Sequence, residues 1–185
     1  MIRRLLPCLA LVLFCTSVSF AQDTDYPKFD FTAAYTLNNL ETPAPSSRKN
    51  LHGFTLAPAA NFRKFVAVEA DFTYTAKTVL GVRRSLLTYM VGPRFTKRSE
   101  NSNLQPFVHA LIGGGHLRGF PLITGGPPAT TDGWAGKFGG GLDIIAGKHA
   151  AIRVVQVDYY RYHGHIPTGR QRLDNVAFTF GVRLF

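Results

Sequence analysis

Glu69 and Asp71 stand two apart in "VEADFTY", and Asp30, Arg94, Asp143 and Arg153 sit in similar surroundings of Gly, Ala and Thr. A spacing of two puts side chains on one face of a strand. Acids and bases gathered on one face can pair as a buried network or line a path for ions. If that face is sealed from water, each unpaired charge costs several kcal/mol, so pairing is expected. His163 and His165 in "YHGH" have the spacing with which a strand can offer two imidazoles to a metal. No carboxylate or cysteine is close by, so they read as an outer-loop pair, and neither a metal nor a cofactor is expected.

Glycine triplets occur at 113–115 and at 139–141. A phosphate-cradling loop would need a helix after the glycines and a Lys-Ser/Thr pair to close it, and both are missing. The triplets read as structural. Pairing the segments about a loop centre near Gly126 and Pro127 would set Gly114 opposite Gly140, giving a side-chain-free patch that leaves room for long neighbours.

What positions these residues is an alternation that recurs eight times. The expected strands are 29–37, 52–62, 66–75, 85–96, 105–118, 134–146, 151–162 and 175–185. The third has the clearest pattern, with Val66, Val68, Ala70, Phe72 and Tyr74 opposed to Ala67, Glu69, Asp71, Thr73 and Thr75. The faces of the fifth cannot be assigned from the pattern. On the seventh, Arg153 has odd parity while Gln156 and Asp158 are even, so a β-bulge near Val154 and Val155 is expected. Helical periodicity is absent after the first residues.

The opening segment is of another kind. Residues 1–21 combine a basic start at Arg3 and Arg4, an apolar run and small residues at Ser19 and Ala21, as a secretory signal does. A lipoprotein signal would need a small residue before Cys15, where Phe14 stands. A twin-arginine signal would need a polar context that Arg3 and Arg4 lack. Cleavage after Ala21 removes both cysteines, Cys8 and Cys15, and leaves 22–185 as one domain without disulfides. It also removes Arg3 and Arg4, which takes the formal charge from +10 to +8. An exported basic chain meets phosphate-rich membrane surfaces rather than nucleic acid.

Connections after the even strands are short, while those after the odd strands are longer and richer in Gly, Pro and charge. An up-and-down barrel in an outer membrane has this asymmetry, with tight periplasmic turns and longer outer loops. Aromatics fall into two groups. Phe29, Phe62, Phe65, Phe95, Phe107 and Phe185 lie near the expected periplasmic boundary, and Tyr35, Tyr74, Trp134 and Tyr160 near the outer one. A soluble calyx has the same period but needs the opposite contents, charges outside and apolar residues within. The fold expected is therefore an eight-stranded antiparallel transmembrane β-barrel, and a monomer.

The stretches "PFVHALIGGGH", "FGGGLDI" and "AIRVVQVDYY", with the terminal Phe185, resemble OmpA-like outer-membrane barrel domains, one of the small porin families. The resemblance implies an interior ion pair between a strand-three glutamate, Glu69, and a strand-seven arginine, Arg153. It also implies that the last strand addresses the outer-membrane insertion machinery, although Arg183 stands where the family favours an aromatic residue. The expected role is structural or surface-interacting, with a polar, plugged lumen. A narrow pore gated by Glu69 and Arg153 is the alternative. A lipid A deacylase or acyltransferase is a third reading, disfavoured because no His-x-Ser occurs. Arg48, Lys49, Arg83, Arg84, Arg161, Arg170 and Arg172 fall in the expected outer loops or at strand tops. Arginine grips phosphate in a bidentate fashion, so these residues are expected to meet outer-membrane lipid, above all lipopolysaccharide phosphates.

Overall fold

In a computed structural model the described residues are 26–41, 48–79, 81–99, 101–121, 128–166 and 169–185. The expected signal segment, 1–21, lies outside them. The strands are β1 (Phe29–Glu41), β2 (Arg48–Arg63), β3 (Val66–Val79), β4 (Val82–Thr96), β5 (Leu104–Pro121), β6 (Pro128–Ile145), β7 (Ala150–Ile166) and β8 (Gly169–Leu184). Each pairs antiparallel with its neighbour, and β1 pairs with β8 to close the barrel, Phe31 lying opposite Leu184. Closure gives every strand a partner on both sides, so no edge is left to expose backbone polar groups to hydrocarbon.

Most strands extend past the expected limits at the end away from the termini. The extra length that reads as outer loop is largely strand: β5 continues to Pro121 and β6 begins at Pro128. Turn-forming residues concealed the pairing there. Gly119 has a φ of +76°, and the register slips between Arg118 and Phe120, which lets the ladder continue through a glycine bulge. Pro121 and Pro128 sit at the ends of these two strands, where a missing N–H is tolerated.

The alternation sorts side chains cleanly. Facing out are Phe29, Phe31, Phe54, Leu56, Phe72, Val91, Ile112, Phe138, Ile152, Phe178 and Phe180, with Ile112 63% and Phe138 65% exposed. Facing in are threonines, small residues and nearly all of the buried charges. This is inside out relative to a soluble barrel, and it is the arrangement of a transmembrane one. Two aromatics depart from the expected belts. The inward set of β5 is odd-numbered, so Phe107 is buried in the lumen beside His109 and Leu111. Tyr160 is also inside, because the β7 register slips between Arg153 and Gln156 and places Gln156, Asp158, Tyr160 and Tyr162 on the inner face along with Arg153.

The glycine triplets do not meet. Gly114 pairs with Trp134 and Gly140 with Val108, since the turn between β5 and β6 centres earlier than the sequence suggests. Each triplet serves its own neighbours. A Cβ on Gly114 would strike the ring of Tyr89, and one on Gly139 would sit 2.1 Å from Asp158 Oδ1.

The interior has two layers. Toward the termini it is filled with charged and amide side chains. Toward the far end Leu40, Leu51, Leu86, Leu117, Tyr162 and Leu173 form an apolar cluster inside the barrel. Threonines mark the transition, with Thr36, Thr55 and Thr73 linked at 2.7 and 2.8 Å, and Thr73 donating to Asp71 at 2.8 Å.

Candidate functional site: the lumen network and the outer rim

In the charged layer, residues from different strands meet across a lumen that eight strands leave only wide enough for side chains. Arg94 of β4 donates to Glu69 of β3 at 2.9 Å and to Asp30 of β1 at 2.5 Å. His109 of β5 bridges Glu69 at 2.8 Å and Asp158 of β7 at 2.9 Å. Lys137 of β6 donates to Asp71 of β3 at 2.8 Å. Arg153 of β7 grips Asp143 of β6 with Nε and Nη2, at 2.9 and 3.2 Å, and reaches Gln156 at 2.7 Å with Nη1. Gln156 in turn donates to Asp158 at 2.7 Å, which joins the two halves into one network.

Asp30, Glu69, Asp71, Arg94, Asp143 and Arg153 are thus all placed on the inner face and all buried. The expected Glu69–Arg153 pair is not formed. Glu69 is occupied by Arg94 and His109, and Arg153 by Asp143, the acid nearest to it in the register, where Asp143 pairs directly with Arg153. The bulge in β7 brings Arg153 onto the lumen side, where its guanidinium lies 4.2 Å from the Phe107 ring centre. That stacking accounts for an aromatic in the lumen.

His109 carries a geometric constraint. Both of its ring nitrogens face carboxylate oxygens at hydrogen-bonding distance, and a neutral imidazole has only one N–H to donate. The bridge is satisfied in full when two protons are shared among His109, Glu69 and Asp158. Sequence reading passed over His109 because the faces of β5 were ambiguous. Lys137 shares the parity of Asp143 on β6, a signal that could have found it. Arg183 has the inward parity of Thr179 on β8, and its Nη1 lies 3.1 Å from Asp143. It is thus a lumen residue, buried beside Asp143. Arg98, in the turn beyond β4, had no periodic signal at all, yet it is buried and donates to Asn61 at 2.8 Å.

The outer rim is built differently. Past the exposed rings of Tyr35, Tyr89 and Trp134, with Leu37 and Leu87 as the last outward apolar residues of β1 and β4, the outward positions turn polar. Arg161 donates to Asp174 at 2.7 Å and to the Tyr159 hydroxyl at 2.8 Å. Arg118 donates to His116 at 2.7 Å, and His116 contacts Asp132. Arg83 donates to the Tyr74 hydroxyl at 3.1 Å, and Trp134 stacks on His163 with centroids 4.1 Å apart. Arg172 is exposed and Arg84 half-buried. Arg48 and Lys49 lie at the start of β2 and Arg170 at the start of β8, and their side chains are outside the described residues. Among the described residues no group of three or more His, Cys, Asp or Glu is placed to hold a metal.

A comparison with protein-family models finds no match, and neither does one with characterised protein sequences. Similarity to solved structures covers nearly the whole barrel. The chain resembles Neisserial surface protein A with a TM-score of 0.65 and 10% identity, over 85% of this chain and 97% of that one. It resembles Ail, the attachment invasion locus protein of Yersinia pestis, with a TM-score of 0.52 and 15% identity, over 84% and 97%. A second structure of Ail, in complex with the heparin analogue sucrose octasulfate, matches with a TM-score of 0.50 and 16% identity over 85% and 99%. At these identities the likeness is one of fold, and the fold is that of a small closed membrane barrel.

Proposed function

We infer that this chain is a non-enzymatic bacterial outer-membrane protein of the OmpA-like kind, exported by its N-terminal signal and inserted through its last strand as a monomer. Its lumen is a plug that stiffens the wall, and its outer rim binds the phosphates of lipopolysaccharide. The observation that carries the reading is the position of Arg118, Arg161 and Arg172. All three are on the outward side of their strands, just past the aromatic positions, at the level where outer-leaflet headgroups would stand. Two of them are held at one edge by a neighbour, Arg161 by Asp174 and Arg118 by His116, which leaves the remaining guanidinium N–H groups to reach a phosphate.

The plug is supported by the ion pairs that cross the charged layer, in which Asp30, Glu69, Asp71, Asp143 and Asp158 each meet a cation, and by the apolar cluster in series with it. A gate would need a pair poised to part, and Glu69 and Arg153 each have other partners. The test is thermal unfolding of the refolded protein in discs containing phosphorylated or dephosphorylated lipid A. The wild type should be stabilised by the phosphorylated form only, and Arg118→Ala/Arg161→Ala/Arg172→Ala should lose the difference. Equal unfolding midpoints for the wild type in both lipids would refute lipopolysaccharide binding.

A further inference from the structure

Each acid of the lumen faces a cation, and the cations outnumber the acids. Asp30, Glu69, Asp71, Asp143 and Asp158 face Arg94, Arg98, Lys137, Arg153, Arg183 and the bridging His109, and all of these side chains are buried. With His109 donating from both nitrogens the cations exceed the acids by one. Moving a bridging proton from His109 to Glu69 or Asp158 leaves that balance unchanged. A lone buried charge without a counterion costs several kcal/mol, so an excess in a sealed lumen calls for one.

The excess is local to the end of the lumen nearest the chain termini. Arg98 has no carboxylate of its own. Its Nη2 is 3.9 Å from Asp30 Oδ2, an oxygen already held by Arg94 and by Asn61, and its hydrogen bonds go to the neutral oxygens of Asn61 and the Lys64 carbonyl. Arg183 shares Asp143 with Arg153 and sends Nη2 to the amide oxygen of Gln105. The Nε atoms of Arg98 and Arg183 are both buried without a hydrogen-bond partner. Their side chains are 6% and 1% exposed, so the site is enclosed but lies at the mouth. Burial, and then the neighbouring Arg183 guanidinium, pull Arg98 down to about 10. Two guanidinium groups close enough to repel, each with an N–H unanswered, define a place for a negative charge.

We propose that the barrel binds one small monovalent anion, chloride or another halide, against Arg98 and Arg183 at this mouth of the lumen. The single excess charge selects a monovalent ion over a phosphate or sulfate, which would reverse the imbalance. Asp30 Oδ1 is also without a hydrogen-bond partner, but it belongs to a carboxylate already counted and adds no charge.

The test compares sodium chloride with sodium gluconate at equal ionic strength, using the full barrel refolded in detergent. Chloride should raise the wild-type unfolding temperature by a few degrees and saturate, as binding to the folded state alone requires. The chloride-35 NMR line should broaden in the presence of the folded protein. Arg98→Gln should lose both effects and unfold in gluconate no earlier than the wild type does. Should Arg98→Gln fail to fold, Arg183→Gln makes the same test. Identical wild-type unfolding in the two salts, or an undiminished chloride effect in the folded variant, would overturn the proposal. Stabilisation by phosphate or sulfate but not by halide would do so as well.

Discussion

Between its two halves the barrel exchanges its inside for its outside. In the section near the termini the outer face is apolar and the inner face holds the charge network. In the far section the inner face holds Leu40, Leu51, Leu86, Leu117 and Leu173, while Asn50, His52, Arg118, Thr130, Asp132 and Arg172 point out. The same eight strands run through both, with the same period of two. What changes is the solvent outside. Where hydrocarbon surrounds the wall, each strand is apolar outward, and the inner face takes the polar residues. Where water surrounds it, the strand keeps one dry face, as any half-exposed antiparallel sheet does, and that face turns inward. The far section is thus a short soluble-type barrel stacked on a membrane one, and Arg118 and Arg172 stand on its outer face just past the boundary between the two.

The comparison breaks most severely if a charge is removed from the first layer. Arg94→Met leaves Asp30 and Glu69 buried together without their shared cation. A loss of about 3–5 kcal/mol of unfolding free energy is expected for such a broken pair. Asp30→Asn and Glu69→Gln added to Arg94→Met should recover part of it, since the uncompensated charges are then gone. Urea unfolding in detergent measures both. A cost below about 1 kcal/mol for Arg94→Met would mean that water reaches the pair and that the layer is not sealed.

The membrane section was the part most legible in the sequence, because one strong rule governs it. Alternation with charges opposite aromatics identified the inner face on β1, β3 and β4, and the parity conflict among Arg153, Gln156 and Asp158 located the bulge in β7. The partners within that face were not legible. Which acid meets which base depends on cross-lumen distances and register, so Glu69 was matched to Arg153 when Arg94 and His109 hold it. The far section was least legible. Gly, Pro and Thr between β5 and β6 look like a loop, and only the pairing of both strands shows that they continue. The register of β5 on β6 sets Gly114 opposite Trp134 rather than Gly140, and so separates the two glycine triplets that symmetry had placed together.

Exterior substitutions locate the boundary between the halves with smaller effects. Phe138 on β6 faces out between Trp134 and Ile144, and Thr130 faces out on the same strand beyond Trp134. Phe138→Arg should cost about 2–4 kcal/mol in lipid, because a guanidinium near the bilayer centre is expensive, while Thr130→Arg should cost about 0–1 kcal/mol. Both belong in vesicles, since a detergent micelle adapts its thickness and blunts the contrast. Equal costs at the two positions would place the far section inside the membrane and remove the distinction.

The smallest expected effect is no conductance at all, and it follows from the layers lying in series. An ion crossing the lumen must pass the paired charges and then the apolar cluster, so opening one leaves the other closed. Leu86→Ala/Leu117→Ala thins only the apolar layer, and Arg153→Ala opens only the charged one beside Asp143. Each should leave a planar bilayer as silent as the wild type does, and only the combination should show discrete steps. Steps from Arg153→Ala alone would make the charged layer the sole barrier and the apolar cluster merely a core for the rim. Steps from the leucine pair alone would assign the barrier to the far section, and would mean that the charged layer already passes ions.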